Sequence, residues 1–200
     1  MKRTILFLAI VGLLVYSCGP AAEREHVDEK ETKDELLTPE ERGFLDNLAS
    51  LCGKSFKGEE VYMEEGRESW ADKKFVMHVT VCEEDRVHIP FHLDDDHSRT
   101  WMFLVDENGL RFRHDHRYED GTPEEQTLYG GYADGKGTEF KQRFPVDQYS
   151  IELLDDHEEM RQWNVVMDED MTTFSYQLLY FDEIVFQADF DLTNPINVEE

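Results

Sequence analysis

The sequence predicts an all-β protein, an antiparallel meander that closes into a β-barrel of about ten strands and carries one short N-terminal helix. Three observations predict this fold class. Apolar and polar residues alternate along many segments after residue 54, turn-forming residues separate these segments at short intervals, and one segment has a helical period. Phe, Tyr and Trp make up 12% of the chain, which supplies enough large side chains for a core.

Residues 1–17 have the features of a signal peptide. Lys2 and Arg3 precede an apolar stretch over residues 4–16 that is short for a membrane-spanning helix. The stretch ends in Val-Tyr-Ser-Cys, which resembles the lipobox of bacterial lipoproteins, where the Cys is acylated after cleavage. The resemblance implies a lipid anchor on Cys18 and an exported protein held on a membrane of the bacterial cell envelope, most simply the outer membrane. The alternative is an ordinary signal peptide with an incidental Cys.

Residues 18–37 are predicted to be a disordered, acidic tether, because they are highly charged and contain no aromatic residue. The folded domain is expected over residues 38–194, and residues 195–200 are expected to fray. This domain begins with a helix predicted over residues 39–52. Thr38, Pro39 and Glu41 supply the N-cap, the first helical position and the partner residue of a capping box.

The strands after this helix are predicted from alternation and from turn residues such as Asn108-Gly109 and Asp120-Gly121. Gly130 and Gly131 are interpreted as flexible loop glycines, since no phosphate-binding pattern surrounds them. The predicted strands cover residues 55–64, 73–82, 86–93, 98–106, 110–118, 126–129, 138–144, 148–154, 161–167, 172–181 and 183–191.

One leading helix followed by these meandering strands resembles the layout of the lipocalin and fatty-acid-binding (calycin) proteins. The resemblance covers residues 39–191 and rests on the order of the elements. It implies a barrel whose interior can hold a small, partly apolar ligand.

The charge of the chain excludes one class of partner. The sequence has 46 acidic and 20 basic residues and a net charge of −26. This charge repels phosphate backbones, so we expect no nucleic acid partner. Of the three cysteines, Cys18 is assigned to the lipid. Cys52 and Cys82 are then either a disulfide formed in an oxidising envelope or two buried thiols.

Six of the eight histidines lie between residues 78 and 116, and a predicted hairpin orders two of them. A two-residue turn at Asn108-Gly109 would place Val105 opposite Phe112 and Phe103 opposite His114. The inner face of this hairpin then holds the predicted ligand-binding residues, which are His114, His116, Trp101, Phe103, Arg99 and Tyr118. The outer face holds Arg111, Arg113, Asp115 and Arg117, because burial of unpaired charges is costly.

Three functions fit these residues. The favoured one is binding of a small, partly apolar ligand inside the barrel, with the inner polar side chains fixing its orientation. The second is an enzyme that uses His114 and His116 for acid–base chemistry or, with His88 and His92 as weaker candidates, for zinc. The third is a structural envelope protein with a filled core. No cofactor is predicted, and zinc is retained only as an alternative.

Overall fold

The computed structural model describes residues 35–154 and 161–197. These residues form a nearly closed antiparallel β-barrel of ten strands with a short helix before the first strand, which confirms the predicted fold class. An eleventh, short strand pairs only with β4. The elements are α1 Pro39–Ala49, β1 Ser55–Met63, β2 Phe75–His78, β3 Val81–Glu83, β4 Arg86–Leu93, β5 Asp96–Asp106, β6 Gly109–His116, β7 Tyr129–Tyr132, β8 Lys141–Pro145, α2 Gln148–Leu154, β9 Arg161–Met167, β10 Thr173–Tyr180 and β11 Glu183–Asp191.

The first and last strands pair with each other. Gly58 of β1 lies opposite Phe190 of β11, and around the barrel the order runs β7-β6-β5-β4-β2-β1-β11-β10-β9-β8. Consecutive strands are therefore neighbours almost everywhere, as a meander requires. The remaining gap lies between β7 and β8.

Two glycines let the backbone of β7 approach its neighbours, β6 on one side and β8 across the gap. A Cβ atom on Gly130 would lie 2.0 Å from the Phe112 carbonyl oxygen, and one on Gly131 would lie 1.8 Å from the Pro145 carbonyl oxygen. The Asp147 amide donates to the Gly130 carbonyl at 3.0 Å. The interpretation of Gly130 and Gly131 as loop glycines is therefore wrong, since both belong to β7, where a side chain would collide with the backbone of β6 or of β8.

Helix α1 closes one end of the barrel, which we call the capped end. Its predicted capping box is present: the Glu41 amide donates to the Thr38 hydroxyl at 3.2 Å, and the Glu41 carboxylate accepts from the Thr38 amide at 2.9 Å. Phe44, Leu45 and Leu48 are buried against the barrel. The helix ends at Ala49, earlier than predicted.

Helix α2 corrects one prediction, because residues 148–154 were expected to form a strand. The Asp147 carboxylate accepts a hydrogen bond from the Ser150 amide at 3.0 Å, which is the pattern of a helix N-cap. The apolar residues of so short a segment fit both periods, so alternation alone could not identify the helix. Neither helix in the described part of the chain is long and apolar enough to cross a bilayer.

Smaller differences concern strand limits and ends. The strand predicted over residues 73–82 is divided into β2 and β3, and a disulfide joins Cys82 of β3 to Cys52 after α1, with 6.1 Å between their Cα atoms. Leu37, assigned to the tether, is buried in the core. At the other terminus the Ile196 amide donates to the Ser55 carbonyl at 2.8 Å.

The signal peptide, Cys18 and most of the tether lie outside the described residues, as do residues 198–200.

Candidate ligand-binding site

The β5–β6 hairpin carries the predicted site, and its register differs from the prediction by two residues. The turn is formed by Glu107 and Asn108, and Gly109, with φ of 105°, is the first residue of β6. Phe103 therefore lies opposite Phe112, not opposite His114. Because a shift of two residues preserves the face on which each side chain lies, the predicted inner face is correct.

This inner face is buried at its centre. Trp101 lies opposite His114 and Arg99 lies opposite His116, so two of the predicted polar groups are direct neighbours. Trp101 and His114 are buried, whereas Arg99 and His116 are half-buried. Tyr118 does not belong to this face: β6 ends at His116, and Tyr118 is 53% exposed in the following loop.

A cavity of about 290 Å³ lies inside the barrel at the end opposite α1, which we call the open end. Four of the six predicted ligand-binding residues line it, namely Arg99, Trp101, His114 and His116. Phe103 lies deeper, in contact with Phe44 of α1. The full lining is Trp70, Phe91, Arg99, Thr100, Trp101, His114, His116, Tyr129, Tyr176, Phe186 and Ala188.

Stacked rings form the wall of this cavity. Trp101 lies between Phe91, at 4.8 Å and 7°, and Tyr176, at 4.7 Å and 11°. Tyr176 belongs to β10, on the opposite side of the barrel, so this stack crosses the interior. Parallel rings held at these distances are fixed in place by one another.

Both ring nitrogens of His114 are used within the protein. Its Nε2 lies 2.9 Å from the Tyr176 hydroxyl, and its Nδ1 lies 3.3 Å from the Tyr129 carbonyl. A carbonyl can only accept, so Nδ1 carries the proton and Nε2 accepts from Tyr176. Burial raises the pKa of Tyr176 well above its ordinary value, and a hydrogen bond from the Trp163 indole to the Tyr176 hydroxyl opposes this shift.

Burial also lowers the pKa of His114 well below its ordinary value, and the neighbouring His116 lowers it further. His114 is therefore neutral at pH 7, with both nitrogens paired. It is a fixed part of the wall and does not act as a proton acceptor for a substrate.

His116 differs from His114 because it lies nearer the open end. Its Nε2 lies 3.0 Å from the Tyr129 hydroxyl, and within the described residues its Nδ1 has no hydrogen-bond partner. Burial lowers the pKa of His116, and the Arg99 guanidinium lowers it further. Arg99 itself is paired with Asp96 and lies 5.9 Å from the centre of the Trp70 ring.

Trp70 covers the cavity from the loop between β1 and β2. Its backbone amide donates to the Glu60 carboxylate at 2.5 Å, and the Ser69 hydroxyl donates to the same carboxylate at 2.8 Å. Its ring packs edge-on against Phe186 at 5.5 Å. The loop is thus anchored to β1, and its indole forms part of the rim.

The structure does not assemble the four histidines proposed for zinc. His88 and His92 alternate with buried apolar residues along β4 and point to the outside, away from His114 and His116. His92 lies 3.0 Å from His78, between ring nitrogens, and stacks on His97 at 3.7 Å. Within the described residues no group of three His, Cys, Asp or Glu side chains is placed to hold a metal ion.

His78, His92 and His97 form a cluster outside the cavity, in which neighbouring histidine side chains affect the pKa of His78 and of His92. Burial, followed by the neighbouring His78 and His97, lowers the pKa of His92 to about 4. Burial and the neighbouring His97 also lower the pKa of His78, so His78 and His92 are uncharged at neutral pH in this very acidic protein.

Arg113 lies on the outer face of the barrel as predicted, but it is not exposed to solvent. It is 1% exposed, because α2 and the preceding residues cover it from outside the barrel. It forms an ion pair with Asp147, and the Tyr132 and Tyr149 rings lie 5.9 Å from its guanidinium carbon. The ion pair offsets part of the cost of burying the guanidinium, whose Nε and Nη1 atoms have no hydrogen-bond partner among the described residues, and it ties the start of α2 to β6.

Sequence reasoning missed the part of the lining that comes from distant strands. Tyr176, Phe186 and Ala188 lie on β10 and β11 at inward positions, and Tyr129 lies on β7. Alternation along β11 already places Phe186 and Ala188 on one face, and Tyr176 is a polar-tipped aromatic residue within a predicted strand. Their position beside His114 could not be predicted, because they are far from the hairpin along the chain.

Comparison of the chain with protein-family models and with curated proteins gives no match.

Proposed function

We propose that this protein binds a small, partly apolar ligand in the cavity at the open end of the barrel. The observation that carries the proposal is the composition of the lining: apolar and aromatic side chains surround a few polar groups, which is typical of small-molecule sites. A volume of about 290 Å³ is at the lower end of the range of about 300–1,000 Å³ for such sites, so it favours compact ligands over long chains.

The proposal is tested by filling the cavity. Ala188 is buried and lines it, so Ala188→Phe places a ring where the ligand would lie. Fluorescence titration with the neutral dye N-phenyl-1-naphthylamine should show binding to the unaltered protein and at least tenfold weaker binding to Ala188→Phe. Ala133→Phe, at a half-buried alanine near the capped end, is the matched control and should bind the dye normally.

Circular dichroism of both variants shows whether each is folded. If folded Ala188→Phe binds the dye as well as the unaltered protein does, the cavity is not the binding site. If Ala188→Phe does not fold, Ala188→Leu gives a smaller obstruction for the same comparison.

The enzyme alternative receives less support from the geometry. Both ring nitrogens of His114 are hydrogen-bonded, and His88 and His92 lie on the other face of the sheet. A fully filled barrel is supported only for the capped half, where Phe103, Phe112 and Phe144 pack together.

We also propose that the protein is anchored to an envelope membrane through a lipid on Cys18. The support is the lipobox-like sequence at residues 15–18 and the acidic, aromatic-free stretch that follows it. Cys18→Ser should move the protein from the membrane fraction to the soluble fraction after cell lysis. Membrane attachment of this variant would contradict the proposal.

A further inference from the structure

The cavity differs in charge from the rest of the molecule. The chain has 46 acidic residues against 20 basic ones, yet its eleven lining residues include no Asp or Glu and do include one arginine and two histidines. A surface of this composition would place carboxylates around most openings. Because no carboxylate belongs to this lining, an anionic group inside the cavity meets hydrogen-bond donors.

The donors converge at the rim. Arg99 and His116 are directly opposite each other on adjacent strands and share the inner face, so their Cβ atoms are about 5 Å apart. A carboxylate is small enough to contact both side chains from one position. The Nδ1 atom of His116 has no partner within the described residues, so it is available to such a group.

Three carboxylates lie close to these two side chains. Asp96 pairs with Arg99, and Asp115, Glu124 and Asp96 all act on His116. Arg99 nevertheless lowers the pKa of His116 more than any one of these carboxylates raises it. From β9, Arg161 also lowers the pKa of His114 and of Tyr176, so a second guanidinium acts on the interior.

The remaining lining selects for flat ligands. Six of the eleven lining residues are Phe, Tyr or Trp, contributed by β4, β5, β7, β10, β11 and the loop that carries Trp70. Aromatic pairs are stabilised beyond the burial of their surface, a gain that an aliphatic chain does not obtain. The rings stacked on Trp101 also restrict movement of the cavity wall.

We infer that the ligand is a compact planar aromatic anion, a carboxylate in the first instance, with its ring among Trp70, Tyr129 and Phe186 and its anionic group at Arg99 and His116. This inference rests on the proposed function, because it names the class of ligand for the same cavity. It assigns Arg99 and His116 to selection of charge and the aromatic lining to selection of shape.

The test compares two probes of the same shape, 2-naphthoate and its neutral amide, 2-naphthamide. Calorimetric titration of the unaltered protein should give at least tenfold tighter binding of 2-naphthoate. Arg99→Gln should weaken 2-naphthoate binding about tenfold and change 2-naphthamide binding less than about twofold, since a tenfold change corresponds to about 1.4 kcal/mol, the scale of one charge-assisted hydrogen bond.

Arg86→Gln is the matched control. Arg86 is exposed at the start of β4, where it pairs with Glu83, so this variant changes the net charge equally and leaves the cavity intact. Equal losses of 2-naphthoate binding in Arg86→Gln and Arg99→Gln would show that overall charge is responsible and would overturn the inference. Thermal melting of both variants checks that they remain folded.

The outcomes separate the two proposals. Equal binding of both probes, unaffected by Arg99→Gln, overturns the anion selectivity and leaves the ligand-binding function standing. Failure of 2-naphthoate, 2-naphthamide and N-phenyl-1-naphthylamine to bind overturns both. If Arg99→Gln does not fold, His116→Gln provides the second variant, with a selective loss of about threefold or more in 2-naphthoate binding as the supporting result.

Discussion

Side chains alternate between the inside and the outside of the barrel in both halves, but only the capped half is filled by them. In the capped half, Phe44, Phe103, Phe112 and Phe144 are fully buried, with ring centres 4.9–6.0 Å apart. In the open half, aromatic residues share the interior with His114, His116 and Tyr176, and a cavity remains. The difference shows that strand alternation determines which residues point inward, whereas residue type determines whether the interior is filled.

The two halves also differ in the kind of side chain that their interiors bury. A helix with a complete capping box closes the half whose interior is filled by Phe side chains, and the half with His114, His116 and Tyr176 stays open. Buried polar groups must be paired, and His114, Tyr176 and Trp163 satisfy one another in a chain. A few buried polar groups within an apolar lining are typical of small-molecule sites.

The largest expected effect is loss of packing in the capped half. Phe103→Ala should lower the free energy of unfolding by about 3–5 kcal/mol, because it leaves a cavity among rings that cannot close around it. Phe186→Ala, which enlarges an existing cavity, should cost less than Phe103→Ala. Urea denaturation of both variants measures the difference, and equal losses would mean that the two halves are equally packed.

A smaller loss of stability is expected when the hydrogen bonds that join Trp163, Tyr176 and His114 in the open half are broken. Tyr176→Phe removes the hydroxyl that joins Trp163 to His114, so two buried groups lose a partner, at a cost of about 1–3 kcal/mol. Tyr62→Phe, at an exposed tyrosine, should change stability by less than about 0.5 kcal/mol. An unchanged free energy of unfolding for Tyr176→Phe would show that these hydrogen bonds contribute nothing to stability.

The smallest effect appears as a dependence on pH. The pKa of His114 is lowered in the folded protein, so below its ordinary value of 6.5 the unfolded chain binds the additional proton. The stability due to neutral His114 is therefore present above pH 6.5 and is lost progressively as the pH falls below it, by up to about 1.4 kcal/mol per pH unit.

His114→Gln removes this contribution. The stability of the variant should therefore fall less steeply than that of the unaltered protein between pH 6.5 and 5.5, when both are followed by urea denaturation. Parallel curves would show that His114 accepts a proton in the folded state. His92→Gln, on the opposite face of the sheet, should also flatten the curve, because burial lowers the pKa of His92 to about 4.

The sequence was sufficient for the fold class and for the inner face of the β5–β6 hairpin. Both depend on local alternation, which survives an error of two residues in register. The register itself depends on which residues take the turn. Asn108-Gly109 is a favoured turn pair, but Gly109 instead adopts its positive φ as the first residue of the strand.

Other features could not be predicted because they depend on contacts between distant segments. Arg113 is buried only because Asp147 and α2 cover it, and nothing near Arg113 in the sequence indicates this. The lining is complete only when β10 and β11 return to face β5 and β6. The sequence therefore indicated half of the site, the half carried by a single hairpin.

The pairing of β1 with β11 has a consequence for how the chain is made. Synthesis produces β1 early and β11 late, so one edge of β1 has no partner until the last strand of the barrel emerges. An unpaired edge is a template for association with other chains. Glu59 and Glu60 lie along this edge, and charged residues on an edge strand disfavour such association in the interval before closure.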